Sequence, residues 1–600
     1  MSVVDQPCGQ PGLVVAVLVA VGDVVDAGDP LVVVESMKCE HRVVADRAGR
    51  IDWLPTVGSV LSATDPVVSM TCRSTPRPPA PAEVANLFLA HGGELTPLPQ
   101  DPVDGPCGVT AGVMSHRLEP HEKPVRRAWL CGDATRSLGA VAEPECRRII
   151  AAIDLAAAEG IPLEWVAVSS GARISMDSGT ENMDWCAAVV RRLVEFTQDG
   201  GEVVIVVAGV NVGAQSYWNA EATMLLHCAG TLVMVDGTSM VLTGSRSLAR
   251  AGGVSERSDH DLGGTGVMAP NGQAHHVVAD LDRAVSLVLD HHALCAAGPA
   301  HPRTRARTAD RADRDVSTAE YRGDDDHGWS RVGQILCPTT NGRRTRPFHI
   351  RPVMAAVADT DAPQLERWAD MDGARGAVVW DTRIDGWAVT MIGIESTPRG
   401  SGDDWEAAGT LYPMASRKVA RALNRASGRR PAVVLANLAG FDGSRTSLLD
   451  GQLEHGAELA RAVVNFRGPL VVVVIGRFHG GAYVVLNRQL NPELTIVALD
   501  GTRVSVIGGS SAAEVVLGRE VRAEMERTGS DRDSAVRDVA QRFDEVHGVH
   551  RALAVGSVDL VVAPAEVRRV VSRLVAPVPV GELSPVRPAP PLAGRSAALA

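Results

Sequence analysis

Two stretches decide the fold: Glu202-Val-Val-Ile-Val-Val-Ala-Gly-Val-Asn-Val-Gly213-Ala214 and Leu470-Val-Val-Val-Val-Ile-Gly-Arg-Phe-His-Gly480-Gly481-Ala482. Each begins as a continuous apolar run, Glu202–Ala208 and Leu470–Ile475, with no alternation. That pattern belongs to a strand buried on both faces, as in the parallel sheets of α/β proteins. Each run ends on a Gly-Ala or Gly-Gly step. Downstream, Asp236-Gly237-Thr238 precedes Gly244 by the same interval at which Asp500-Gly501-Thr502 precedes Gly508. The copies lie 267 residues apart at the glycines and 264 apart at the Asp-Gly-Thr triplets. Two ordered coincidences behind buried strands point to an internal duplication. A glycine step that opens a helix leaves backbone N–H groups free to hold an oxyanion. Glycine there also serves plain close packing or a tight turn, and spacing alone leaves both readings open.

Outward from these strands, β runs alternate with helical runs over 100–298 and again over 336–575, which gives two α/β domains. A small all-β domain is expected over 1–72, with runs Leu13–Val21, Pro30–Glu35, Glu40–Ala45 and Ile51–Leu54 separated by Gly-Asp turns. Its hairpin Glu35-Ser36-Met37-Lys38 carries one of only three lysines in the chain. Such a lysine suits a swinging tether as well as an ordinary solvated turn. Residues 73–99, opening with Arg73-Ser-Thr-Pro-Arg-Pro-Pro-Ala-Pro-Ala-Glu83, read as a Pro-rich linker, and 299–335, rich in Arg, Asp and Thr, as a second one. Residues 576–600 read as a disordered tail.

Bulk properties narrow the classes. Six hundred residues exceed one core, and a net charge of −12 argues against nucleic acid as the main partner. Ten cysteines without a CxxC pair write neither a zinc ribbon nor a disulfide scaffold, so a reduced, cytoplasmic setting and no metal are expected. The apolar run Gly12–Val21 lacks a preceding basic residue and is too short to span a bilayer, so no membrane association is expected.

Residues 10–70 resemble the biotinyl carrier domains, whose signature is a Met-Lys pair in this hairpin between flanking glycines, here Gly22 and Gly49. Met37 favours biotin over lipoate, and Cys39 departs from the family, which often has a second Met. The rest of the chain resembles the biotin-dependent acyl-CoA carboxyltransferases. The motifs are Ser169-Ser-Gly-Ala-Arg173-Ile, Gly209-Val-Asn-Val-Gly213-Ala214-Gln-Ser-Tyr217, Leu262-Gly-Gly264 and Met268-Ala-Pro-Asn-Gly272 in the first half. In the second half they are Asn437-Leu-Ala-Gly440-Phe441, His455-Gly-Ala457, His479-Gly-Gly-Ala-Tyr483 and Leu486-Asn-Arg-Gln-Leu-Asn-Pro492. Val241-Leu-Thr-Gly244 and the Leu486–Pro492 segment lean towards the acetyl-CoA carboxylase branch.

The resemblance implies an α/β (α+β) architecture: an all-β barrel-sandwich domain, then two crotonase-like ββα superhelical domains. Active sites would form between the N half of one subunit and the C half of another, in a homo-oligomer of two subunits or more. It implies covalent biotin on Lys38 with Met37 beside it, the enolate oxygen of an acyl-CoA held at Gly213 and Ala214, and the biotin oxygen held at Gly481 and Ala482. Arg173 becomes a candidate contact for CoA. Ala214 stands where many relatives have a second glycine, which keeps the backbone donor but puts the fit of the acyl chain in doubt. In this chemistry CO2 leaves carboxybiotin, the freed ureido nitrogen takes the α-proton, and the enolate attacks CO2. No side-chain general base is assigned.

No ATP-grasp pattern occurs, so the expected partners are a separate biotin carboxylase subunit and a biotin protein ligase. The expected reaction carries CO2 to acetyl-CoA, giving malonyl-CoA, or to propionyl-CoA. A decarboxylase running the chemistry backwards, and a non-catalytic biotin carrier and assembly scaffold, are the competing readings.

Overall fold

The computed structural model describes residues 2–9, 11–25, 29–36, 39–45, 49–72, 79–176, 180–223, 229–245, 248, 258–295, 303–323, 328–342, 344–400, 405–546 and 548–577. Met37 and Lys38 lie outside them.

The first 72 residues form two four-stranded antiparallel sheets. One orders Ser2–Pro7, Pro66–Cys72, Gly49–Trp53 and Val24–Val25; the other orders Cys39–Val44, Pro30–Ser36, Gly12–Val17 and Val60–Leu61. Val14, Leu31, Val34, Ile51, Val67 and Met70 fill the space between them. Ser36 pairs with Cys39 and Glu35 with Glu40 across the hairpin that holds the two undescribed residues.

The two larger units repeat one topology. In the first, the strand order is His276–Val278, Thr231–Val235, Val203–Val212, Leu163–Ser169, Val125–Gly132, Val109–His116 and Gly93–Pro97. In the second it is Leu560–Val562, Leu494–Leu499, Leu470–His479, Ala432–Leu438, Trp387–Ile394, Ala377–Ile384 and Leu365–Arg367. The last two pairings of each path are antiparallel and the others parallel. In each unit a short extra strand, Ser239–Val241 or Arg503–Ser505, pairs with the end of the central strand.

The continuous apolar runs are explained by cover on both faces. Val203, Ile205 and Val207 face the cluster with helices Glu143–Glu159 and Thr180–Gln198, while Val204 and Val206 face helices Pro81–Ala90 and Leu281–Cys295. Leu470, Val472 and Val474 likewise face Pro413–Ala426 and Gln452–Asn465, and Val471, Val473 and Ile475 face Ile350–Val357 and Val567–Val575.

The expected linkers differ from what the chain forms. Helix Pro81–Ala90 buries Val84 and Phe88 against Trp129 and Val204, and Gly93–Pro97 is the edge strand, so the first α/β unit starts near Pro81 and not at 100. Proline at the first helical turn, where it is tolerated, disguised the helix as linker. Residues 303–323 are packed as well. Asp310 pairs with Arg314 and Arg568, and Val316 and Tyr321 enter the core beside Trp329. Ion pairs and a few spaced apolar residues anchor this strap, which therefore carries no hydrophobic period to read.

A polar seam joins the two α/β units. Asp381, fully buried, accepts from Arg367, Arg425 and Arg430, and Arg367 and Arg425 also reach Thr231 of the first unit. His291 takes a hydrogen bond on Nδ1 from Arg367 and gives one from Nε2 to Glu202 at 3.0 Å. Nearby, buried Lys418 donates to the Trp368 carbonyl at 2.8 Å. Burial pushes its ammonium down to about 7, with Glu366 only partly opposing. Between pH 7 and about 10.5 the unfolded chain then binds the extra proton, so Lys418 makes stability rise with pH there, by up to ~1.4 kcal/mol per unit. In Lys418→Met this contribution should vanish. Thermal melts from pH 7.5 to 9.5 check it, as the rise in Tm with pH should be smaller in the variant.

Candidate active site

The strand Val203–Val212 turns into helix Ala214–Ala220 at Gly213, and Leu470–His479 turns into Gly480–Val485 at Gly480. Gly213 has φ +59° and Gly480 φ +58°, left-handed values that favour glycine. These residues are 267 apart, so the structural counterpart of Gly213-Ala214 is Gly480-Gly481, one residue before the expected pair Gly481-Ala482. The N–H of Gly213 is already given to the Val241 carbonyl at 2.9 Å. Gly213 therefore supplies the turn, and the open helix-start donor is Ala214. Gly481 and Ala482 both lie in the first turn of their helix, where N–H groups have no helical acceptor. A side chain at Gly481 would meet Phe441 at 2.9 Å, so glycine there leaves room for the ring.

Buried amides, two of them inside the motif Gly209–Tyr217, hold the first step in place. Asn211 donates to the carbonyls of Ala167 and Gly209, Asn219 donates to Asn211 at 3.1 Å, and Gln215 donates to Asn219 at 2.9 Å. At the second step Asn437 accepts from the Arg477 N–H and donates to Ser396, while Arg477 holds the Ala408 carbonyl. A carboxylate caps the loop beside each step: Asp259 accepts from the Ser245 N–H at 2.6 Å and Asp544 from the Gly509 N–H at 2.9 Å.

Both steps open onto exposed apolar side chains. Tyr217 and Leu242 flank the first; Val484 and Val506, 60% and 85% exposed, flank the second. Arg173 is half-exposed and lies 3.6 Å from the buried Glu145 carboxylate, which also accepts from the Gly108 N–H. Its backbone carbonyl accepts from Asn182.

Among the described residues, one group brings metal-ligand atoms together, His291, Cys295 and Asp381. Arg367, Arg425 and Arg430 take both carboxylate oxygens there, and three guanidinium charges oppose a cation.

The chain is a duplicated α/β protein with one left-handed glycine step in each unit, preceded by a small β-sandwich. Residues 130–577 match the carboxyl transferase domain family and residues 7–70 the family of biotin-requiring enzymes. The chain belongs to the carboxyl transferase family and is a biotin-dependent enzyme of the transferase class. It is 26% identical over 443 residues to the propionyl-CoA carboxylase beta chain of Saccharopolyspora erythraea, covering 72% of this chain and 74% of that one. It is 24% identical over 472 residues to the methylmalonyl-CoA carboxyltransferase 12S subunit of Propionibacterium freudenreichii, covering 76% and 79%. The crystal structure of transcarboxylase 12S, a hexamer with methylmalonyl-CoA bound, superposes with a TM-score of 0.67 at 20% identity, covering 82% of this chain and 88% of that one. That likeness shows the crotonase-like fold of the two α/β units. No helix among the described residues is long and apolar enough to cross a membrane.

Proposed function

We propose that this chain moves CO2 from carboxybiotin carried on Lys38 to the α-carbon of an acyl-CoA, with acetyl-CoA and propionyl-CoA as the substrates to expect. The observation that carries this is the matched pair of left-handed glycine steps, one per half, each opening a helix towards an exposed apolar surface. The names of the relatives, which speak of propionyl-CoA and methylmalonyl-CoA, support the substrate class. When bound, biotin supplies a carboxyl donor and a ureido nitrogen that can take a proton.

The chain's own residues do the rest. Ala214 at the first step donates its N–H to the thioester oxygen as that oxygen becomes an enolate. Gly481 and Ala482 do the same for the ureido oxygen. The buried amides Asn211, Gln215 and Asn219 keep the first step rigid, so its donor needs no reorganisation during reaction. Arg173, tied to Glu145, keeps an exposed head for a CoA anion. The exposed apolar rims of both steps support assembly with a second copy, the N half of one facing the C half of the other. The carboxyl group must come from a separate biotin carboxylase, and Lys38 must be loaded by a biotin protein ligase, in the cytoplasm.

Ala214→Pro tests the site. Proline is accepted at the first helical position without loss of a helix bond, so the change deletes the donor and keeps the helix. Transfer to acyl-CoA should fall about 10²-fold with an unchanged Tm. Wild-type rates would remove Ala214 from the site.

A further inference from the structure

The two glycine steps are alike in backbone and unlike in one side chain. The residue before Gly213 is Val212; the residue before Gly480 is His479. His479 is 5% exposed and reaches Ser505 Oγ from Nδ1 at 3.0 Å. Ser505 has a single hydroxyl proton and gives it to the Ile507 carbonyl at 2.7 Å. Its oxygen can therefore only accept from the ring, which places the imidazole proton on Nδ1 and leaves the lone pair on Nε2. The ring's hydrogen bonds run to Ser505, and Nε2 faces Gly508, where an added Cβ would lie 4.0 Å away. Val506, close to Gly508 in the chain, brings its carbonyl to 3.5 Å from where a Cβ on Gly480 would lie. The second step thus has a ring acceptor on the residue that precedes its helix start, where the first step has Val212.

This asymmetry distinguishes the ligands. An enolate offers only an oxygen that accepts, and donors suffice for it. A cyclic urea offers an oxygen that accepts and ring N–H groups that donate, so it needs donors and an acceptor together. We propose that His479 Nε2 accepts a hydrogen bond from a ureido N–H of biotin, making His479 a binding residue that fixes which half takes the carrier's ring. The inference rests on the carboxyl-transfer reading and adds to it a specific contact.

Ser505 contacts the ring, and the charges of Arg477, Arg503 and Asp544 act on it. Burial, only partly opposed by a hydrogen bond to the Ser505 backbone and reinforced by Arg477, holds the imidazole below its usual range. Above that lowered value the ring is neutral and Nε2 accepts. Below it the imidazolium turns Nε2 into a donor, so ureido binding should weaken as pH falls.

Equilibrium dialysis tests this with the full chain carrying Lys38→Arg, so that no internal biotin competes, and with biotin methyl ester as probe. His479→Phe should weaken binding about 3- to 10-fold, the value of one neutral hydrogen bond, while His479→Gln, whose amide oxygen can accept, should stay within about twofold. 2-Imidazolidinone should displace the probe, and its N,N′-dimethyl derivative, which has no N–H, should not. Equal affinity in His479→Phe, or equal competition by the dimethyl compound, overturns the inference and leaves the carboxyl-transfer reading intact. If the ester does not bind to any form and label transfer to acyl-CoA also fails, the carboxyl-transfer reading itself falls.

Discussion

A chain carrying Lys38→Arg, co-expressed with a biotin ligase, is expected to give no avidin signal and to transfer no carboxyl group, while folding like the wild type. Arginine keeps the charge and length of the side chain. Its guanidinium stays protonated and is a poor nucleophile, so it cannot form the amide that would hold biotin. The hairpin should not suffer, because Glu35 and Ser36 still pair with Glu40 and Cys39 on either side of the change. The loss should be complete and not graded: a tether raises the local concentration of the carried group to roughly the millimolar range, and without attachment nothing is carried. Biotin methyl ester added to the variant should restore a small fraction of transfer. Avidin blotting checks the first part and a label-transfer assay the second. An avidin-positive Lys38→Arg chain would move the attachment elsewhere.

The second large effect is expected at Asp381→Asn. Three guanidiniums, from Arg367, Arg425 and Arg430, converge on one buried carboxylate, which they hold well below the usual carboxylate range against the cost of its burial. An amide of the same shape leaves those three charges without their counter-charge. Breaking a buried ion cluster from one side costs about 3–5 kcal/mol, and Tm should fall by on the order of 10 °C. Because Thr231, His291 and Glu202 of the first unit share the same network, the variant should also loosen the seam between the units. Scanning calorimetry with limited proteolysis measures both. A melt within 2 °C of wild type, as a rough threshold, would mean that the cluster does not secure the two halves.

The parts of the fold legible in the sequence were those set by long-range burial. A run such as Val471–Ile475 is apolar at every position because both faces are covered, and this pattern survives in the sequence as a plain string. The glycine steps were legible because only glycine takes φ near +60° at ease, and two copies of the same turn reinforce each other. Helix Pro81–Ala90 and the strap over 303–323 were not legible: one is short and starts in proline, the other is pinned at Asp310 by Arg568, 258 residues away in the chain, and so leaves little local mark. Within the site, hydrogen bonding decided what spacing could not. Nothing in the sequence says that Val241 occupies the Gly213 N–H and shifts the donor role to Ala214. Asp259 and Asp544 perform the same capping in the two halves, yet they follow their loops by 14 and 35 residues, so no repeat search aligns them. His479 was visible as a residue, but its usable lone pair depends on where Ser505 sends its proton.

The most direct test supplies the biotinylated full chain with a biotin carboxylase subunit, ATP, radiolabelled bicarbonate and acetyl-CoA or propionyl-CoA, and follows the label. Label is expected to appear first on the chain and then in malonyl-CoA or methylmalonyl-CoA, with none in the Lys38→Arg variant. Label that reaches the chain and passes to no acyl-CoA would contradict the carboxyl-transfer account and leave a carrier without a transferase.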